Sequence, residues 1–117
     1  MTSHEVEALA RREIAEFRYD PPEGTIGVPW SAERVASELE ILRASLIQPK
    51  LATVEIADSV TPGPRRALWL VTRALECDYV VVFDPESRRF GLAVGGNAPL
   101  LQTVAVWGKL VSTFMAR

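Results

Sequence analysis

Residues 79–94, YVVVFDPESRRFGLAV, constrain this chain more than any other stretch. Two apolar runs flank the turn-forming Asp84-Pro85-Glu86-Ser87, a pattern that specifies an antiparallel hairpin. The first run is apolar on both of its faces: Tyr79, Val81 and Phe83 would point one way, Val80 and Val82 the other. A sheet covered on one side normally alternates apolar with polar residues, so both faces here demand cover. Residues 67–72, ALWLVT, carry the same double signal, with Trp69 and Val71 on one face and Leu68 and Leu70 on the other. Three arrangements would satisfy it: helices divided between the faces, a sheet curled into a half-barrel around its own core, or a second molecule seated on one face.

The elements around this hairpin follow from periodicity and punctuation. Thr2 and Glu5 have the spacing of a capping box, and Val6, Leu9, Ala10, Ile14 and Phe17 continue as one apolar stripe, which predicts an amphipathic first helix. Residues 19–30, YDPPEGTIGVPW, hold three prolines and two glycines and are expected to form a long loop, a common place for binding residues. Ser31 suits a helix N-cap, with Trp30 and Val35 spaced as a hydrophobic staple. Val35, Leu39, Leu42 and Leu46 then define a second helix that Pro49 is expected to stop. From Leu51 the period falls to two, with Ala52, Val54 and Ile56 facing inward, a strand expected at or near an edge. After the turn region 58–66, DSVTPGPRR, the segment 64–76 reads either as a strand or as a helix opened by Pro64, and periodicity does not decide between them. Gly95-Gly96-Asn97 predicts a turn, residues 101–106 a further strand, and Leu110, Val111, Phe114 and Met115 a short terminal helix. The expected architecture is a single α+β domain over residues 1–117. In it an antiparallel meander of four or five strands carries two N-terminal helices and one C-terminal helix.

Composition narrows function mainly by exclusion. Apolar residues make up 48% of the 117 and charged residues 24%, the profile of a globular domain with one ordinary core. No apolar run approaches the roughly 20 residues of a membrane span, and charged residues interrupt the N-terminus as they would not in a signal peptide. A cytoplasmic location is the expectation. The net charge of −2 is uneven: residues 1–40 hold nine acids and four bases, the remainder six acids and nine bases. An acidic first half and only weakly basic second half argue against nucleic-acid binding.

No catalytic, metal-binding or nucleotide-binding constellation stands out. His4 is the sole histidine and sits in the first helical turn, where a solvated side chain is expected; no cofactor and no metal ligand set is indicated. Cys77, between Glu76 and Asp78, reads as a half-buried apolar residue whose thiol those acids would leave unactivated. Asp84 and Glu86 read as turn residues, Asp84 bonding nearby backbone and Glu86 solvated. Arg65-Arg66 and Arg88-Arg89 would meet only if the hairpin lies beside the preceding segment, and as charged strand ends they also guard against edge pairing. The leading expectation is therefore a non-enzymatic accessory or protein-interaction domain, with a protein partner or a second copy held on a sheet face or on the 19–30 loop. The alternative is a small-ligand site or unrecognised active site in which Tyr19, Asp20 and Trp30 meet Arg65 and Arg66, with Trp69 nearby to stack.

Overall fold

The computed structural model describes residues 1–19, 30–57, 63–95 and 100–117. Its described residues form helices α1 (Ser3–Glu16), α2 (Ala32–Ser45) and α3 (Leu110–Met115). They also form strands β1 (Leu46–Glu55), β2 (Arg65–Thr72), β3 (Val80–Asp84), β4 (Arg89–Val94) and β5 (Leu101–Gly108), with a short 3₁₀ turn at Glu76–Asp78. The expected α+β meander is present with five strands, and in the ambiguous 64–76 segment residues Arg65–Thr72 form a strand, not a helix. Consecutive strands pair antiparallel, and a parallel seam of β1 with β5, Val54 opposite Leu101 and Glu55 opposite Gln102, closes the sheet into a barrel.

Closure accounts for the two-sided apolar strands. Val54, Leu68, Val80, Val82, Ala93 and Leu101 come from strands alone and fill the barrel. The opposite faces, Val71, Val81, Phe83, Phe90 and Leu92, lie outside it beneath Val6, Ala10 and Ile14 of α1, Leu42 of α2 and Leu110, Val111 and Phe114 of α3. Curling and helix cover thus act together, so Val80 to Phe83 are at most 1% exposed. Phe83 and Phe90, directly opposite across the hairpin, pack with ring centroids 4.8 Å apart.

Two irregularities bend the sheet far enough to close. β1 advances four positions from Leu46 to Lys50 where β2 advances only two from Thr72 to Leu70. β5 likewise advances from Thr103 to Trp107 while β4 moves only from Ala93 to Gly91, with Ala105 at φ 61°. Extra residues of this kind kink a strand and increase its twist. The first bulge also accommodates Pro49, which has no N–H to offer a ladder. Sequence periodicity places the start of this strand at Leu51, yet it begins at Leu46: α2 ends at Ser45, and Leu46 turns to extended backbone with ψ 137°. Gln48, the residue before Pro49, is pushed toward extended conformations, and helices end at or before such a residue; here the chain leaves α2 three residues short of it, and Pro49 sits inside β1.

The helix starts match their sequence signals. Glu5 N–H donates to Thr2 Oγ1 at 3.2 Å while Thr2 N–H donates to Glu5 Oε1 at 3.0 Å, and Arg34 N–H donates to Ser31 Oγ at 3.1 Å. Glu13 reaches from α1 to accept the Leu110 N–H at 2.8 Å, tying the start of α3 to the first helix. At the other end of α3, the Arg117 guanidinium lies 3.7 Å over the Phe114 ring and donates to Glu38 of α2 at 2.9 Å.

Candidate functional site

Three places on the molecule gather the residues that the sequence marks out. The first is the hairpin end of the barrel. Arg66 enters β2 two residues before Leu68, on the barrel-facing side of the strand, and its guanidinium grips Asp84 in a two-pronged pair, Nη1 to Oδ2 at 3.0 Å and Nη2 to Oδ1 at 2.9 Å. Nη2 also donates to Glu86. Asp84 holds the turn as well, accepting from Glu86 N–H at 2.9 Å and Ser87 Oγ at 3.0 Å. Burial of Asp84, which is 5% exposed, works against ionisation. The Arg66 bonds, the Glu86 N–H and the Ser87 hydroxyl outweigh it and hold the carboxyl below its ordinary value. The turn role expected of Asp84 is present and Glu86 is exposed, as expected; what the sequence did not indicate is that this exposed carboxylate also contacts Arg66. That partnership is visible only once the meander sets the start of β2 beside the end of β3. Arg89 lies 5.6 Å from the Trp107 ring, and that ring rests on Gly91, where a Cβ would sit 2.6 Å from its atoms.

The second place is the outer face of the β1–β2 ladder. Cross-strand partners Leu51 and Trp69, Thr53 and Ala67, and Glu55 and Arg65 share it. The helices cover Val71 at one end of this face, and Trp69 packs in part against the same core; beyond them Thr53, Arg65 and Ala67 are exposed, Glu55 is half-buried, and Leu51 is 60% exposed. Leu51 is the residue that sequence reasoning passed over. Its alternation with Ala52 and Val54 marks the solvent side correctly, and only its apolar character on that side is the signal.

The third place is a cleft where α1 ends. Tyr19 and Trp30, the two flanks of the long loop, both line a cavity of about 330 Å³, together with Phe17, Arg18, Ser112 and Met115. The Trp30 N–H donates to the Tyr19 hydroxyl at 3.2 Å, and the Arg34 guanidinium stacks 4.0 Å from the Trp30 ring. A larger cavity of about 490 Å³ adjoins it, sharing Phe17, Arg18 and Ser112 and adding Glu13, Glu16 and Lys109. Of the residues singled out in the sequence, Tyr19 and Trp30 therefore come together, whereas Arg65 and Arg66 line neither cavity and Asp20 lies outside the described residues. Arg65 and Trp69 share the second place, and Arg66 belongs to the first.

His4 is exposed on α1. Cys77 is exposed as well, contrary to its expected half-burial, because the 3₁₀ turn holds it at φ 58° on the surface. Among the described residues no group of three or more His, Cys, Asp or Glu side chains could hold a metal ion, and no helix is long and apolar enough to cross a membrane. Comparison of the chain with protein-family models, with curated proteins and with solved structures finds no match.

Proposed function

We propose that this chain is a non-enzymatic cytoplasmic interaction domain that associates with a second copy of itself through the outer face of β1 and β2. The observation that carries this reading is Leu51, a large apolar side chain 60% exposed opposite a half-buried Trp69, on the side of the ladder that the helices cover only at one end. Aromatic residues at the centre of a patch with a polar rim are the composition of protein contact surfaces. A two-fold interface brings the same patch from each copy together, so the patch must complement itself. Here an apolar centre is flanked by one acid, Glu55, and one base, Arg65, directly opposite each other, and two such patches meet without net repulsion.

The open face amounts to roughly a few hundred Å², below the roughly 800 Å² per partner of a standard stable interface, so the association is weak and concentration-dependent. The charges at the barrel's end support a binding role over catalysis, since Arg66 and Asp84 are engaged by each other and Asp84 by the turn. Static light scattering across a wide concentration range tests the proposal. The wild-type mass should rise from 12.9 kDa toward twice that value, and Leu51→Arg should hold it at 12.9 kDa. A wild-type mass that stays at the monomer value up to the highest soluble concentration would overturn it.

A further inference from the structure

We infer that the cleft between Tyr19, Trp30 and α3 binds a small monocarboxylic acid with a flat apolar body. Its volume of about 330 Å³ falls within the roughly 300–1,000 Å³ of small-molecule sites, and its walls follow their usual chemistry, mostly apolar with few polar groups. Phe17, Tyr19 and Trp30 offer ring surface, and Met115 supplies an unbranched, polarizable side chain that adapts to an irregular ligand.

The sign of the ligand's charge follows from what lines the cleft. Among the described residues, Arg18 is the charged one of its lining. One of the Arg18 donors, Nη1, bonds the Phe17 carbonyl at 2.9 Å, which orients the guanidinium and leaves the rest of its planar fork for a carboxylate. The Tyr19 hydroxyl accepts from Trp30 N–H, so its own proton can be donated to the same group. A cationic ligand would meet a second obstacle, because the Arg34 guanidinium already lies 4.0 Å from the Trp30 ring. The adjoining larger cavity adds Lys109 but also Glu16 and Glu13, the latter engaged with the Leu110 N–H, and this mixed lining places the acid in the smaller cleft.

Three probes of one shape test the assignment by amide NMR titration: 2-naphthoate, the neutral 2-naphthylmethanol and the cationic 2-naphthylmethylammonium. The naphthoate should shift amides at residues 17–19, 30 and 112–116 and bind about five- to tenfold more tightly than the alcohol, the worth of one solvent-screened charge-assisted contact. The ammonium should bind most weakly. Arg18→Gln should abolish the preference for the carboxylate while leaving affinity for the alcohol unchanged, a result that a merely structural arginine would not produce. Met115→Trp should fill the cleft and remove binding of all three, and Leu51→Arg should leave every affinity as it is, keeping this site separate from self-association. Equal affinity for the three probes, shifts confined to other regions, or an undiminished carboxylate preference in Arg18→Gln would overturn the inference.

Discussion

The β3–β4 hairpin and the β1–β2 ladder belong to one barrel and are covered very differently. In β3 every side chain is buried, Val80 and Val82 in the barrel and Val81 and Phe83 under the helices. In β1, Val54 is fully buried while Leu51 and Thr53 beside it stand in solvent. The contrast is written in the local pattern. Where alternation fails, as in VVVF, two layers of cover are present; where it holds, as in LATVE, one face is open. The difference teaches that a two-sided apolar run need not signal a partner, and that a single leucine on the polar side of an alternating strand is the more informative exception.

The sharpest way to test that contrast is to truncate one residue from each region. Phe83→Ala removes a ring packed against Phe90 and the helices and should cost about 3–5 kcal/mol in urea denaturation. A loss below about 1 kcal/mol would mean that the outer layer contributes little. Next in size is the ion pair at the barrel's end. Asp84→Ala removes both Arg66 bonds to the carboxylate, leaving it only Glu86, and deprives two turn donors of their acceptor; it should cost about 2–3 kcal/mol. Its pH dependence has a definite sign: a carboxyl held below its ordinary value stabilises the fold above that value and loses the contribution as pH falls through the folded one. The stability gap between wild type and Asp84→Asn should therefore shrink below about pH 4, as followed by urea titrations at successive pH values.

Gly91→Ala should follow, at about 1–3 kcal/mol, since the new methyl must displace the Trp107 ring from within 2.6 Å; a shifted tryptophan emission spectrum would accompany it. The smallest effect on stability belongs to the open ladder. Leu51→Arg should change unfolding free energy by no more than about 0.5 kcal/mol, so any change in mass it causes would reflect association rather than folding.

Much of this architecture was legible in the residues themselves. Thr2, Glu5 and Ser31 announce the two helix starts through local backbone donors that only a cap can satisfy, and Asp84-Pro85 announces the reversal in the same local way. What stayed hidden depends on contacts far apart in the chain. Barrel closure rests on a seam between residues 54–55 and 101–102, which no periodicity reports. The grip of Arg66 on Asp84 needs the register of β2 on β3. The early start of β1 was masked because Leu46 fits the helical stripe equally well, and local preference before Pro49 decided against it. In the cleft, Tyr19 and Trp30 were marked by the loop they flank, whereas Arg18, Ser112 and Met115 join them only because α3 packs beside the end of α1.

The brevity of the β1–β5 seam bears on how the chain reaches this form. Every other strand pair joins sequence neighbours and can zip up as hairpins, while the seam must bring together residues 47 apart, Val54 and Leu101. Non-local contacts pay their loop-closure entropy before any packing rewards them, so the barrel is expected to close last, after the hairpins have formed. Until then the molecule is an open sheet with two unsatisfied margins, and its exposure to misassembly in the cell is set by how quickly those two registered pairs find each other.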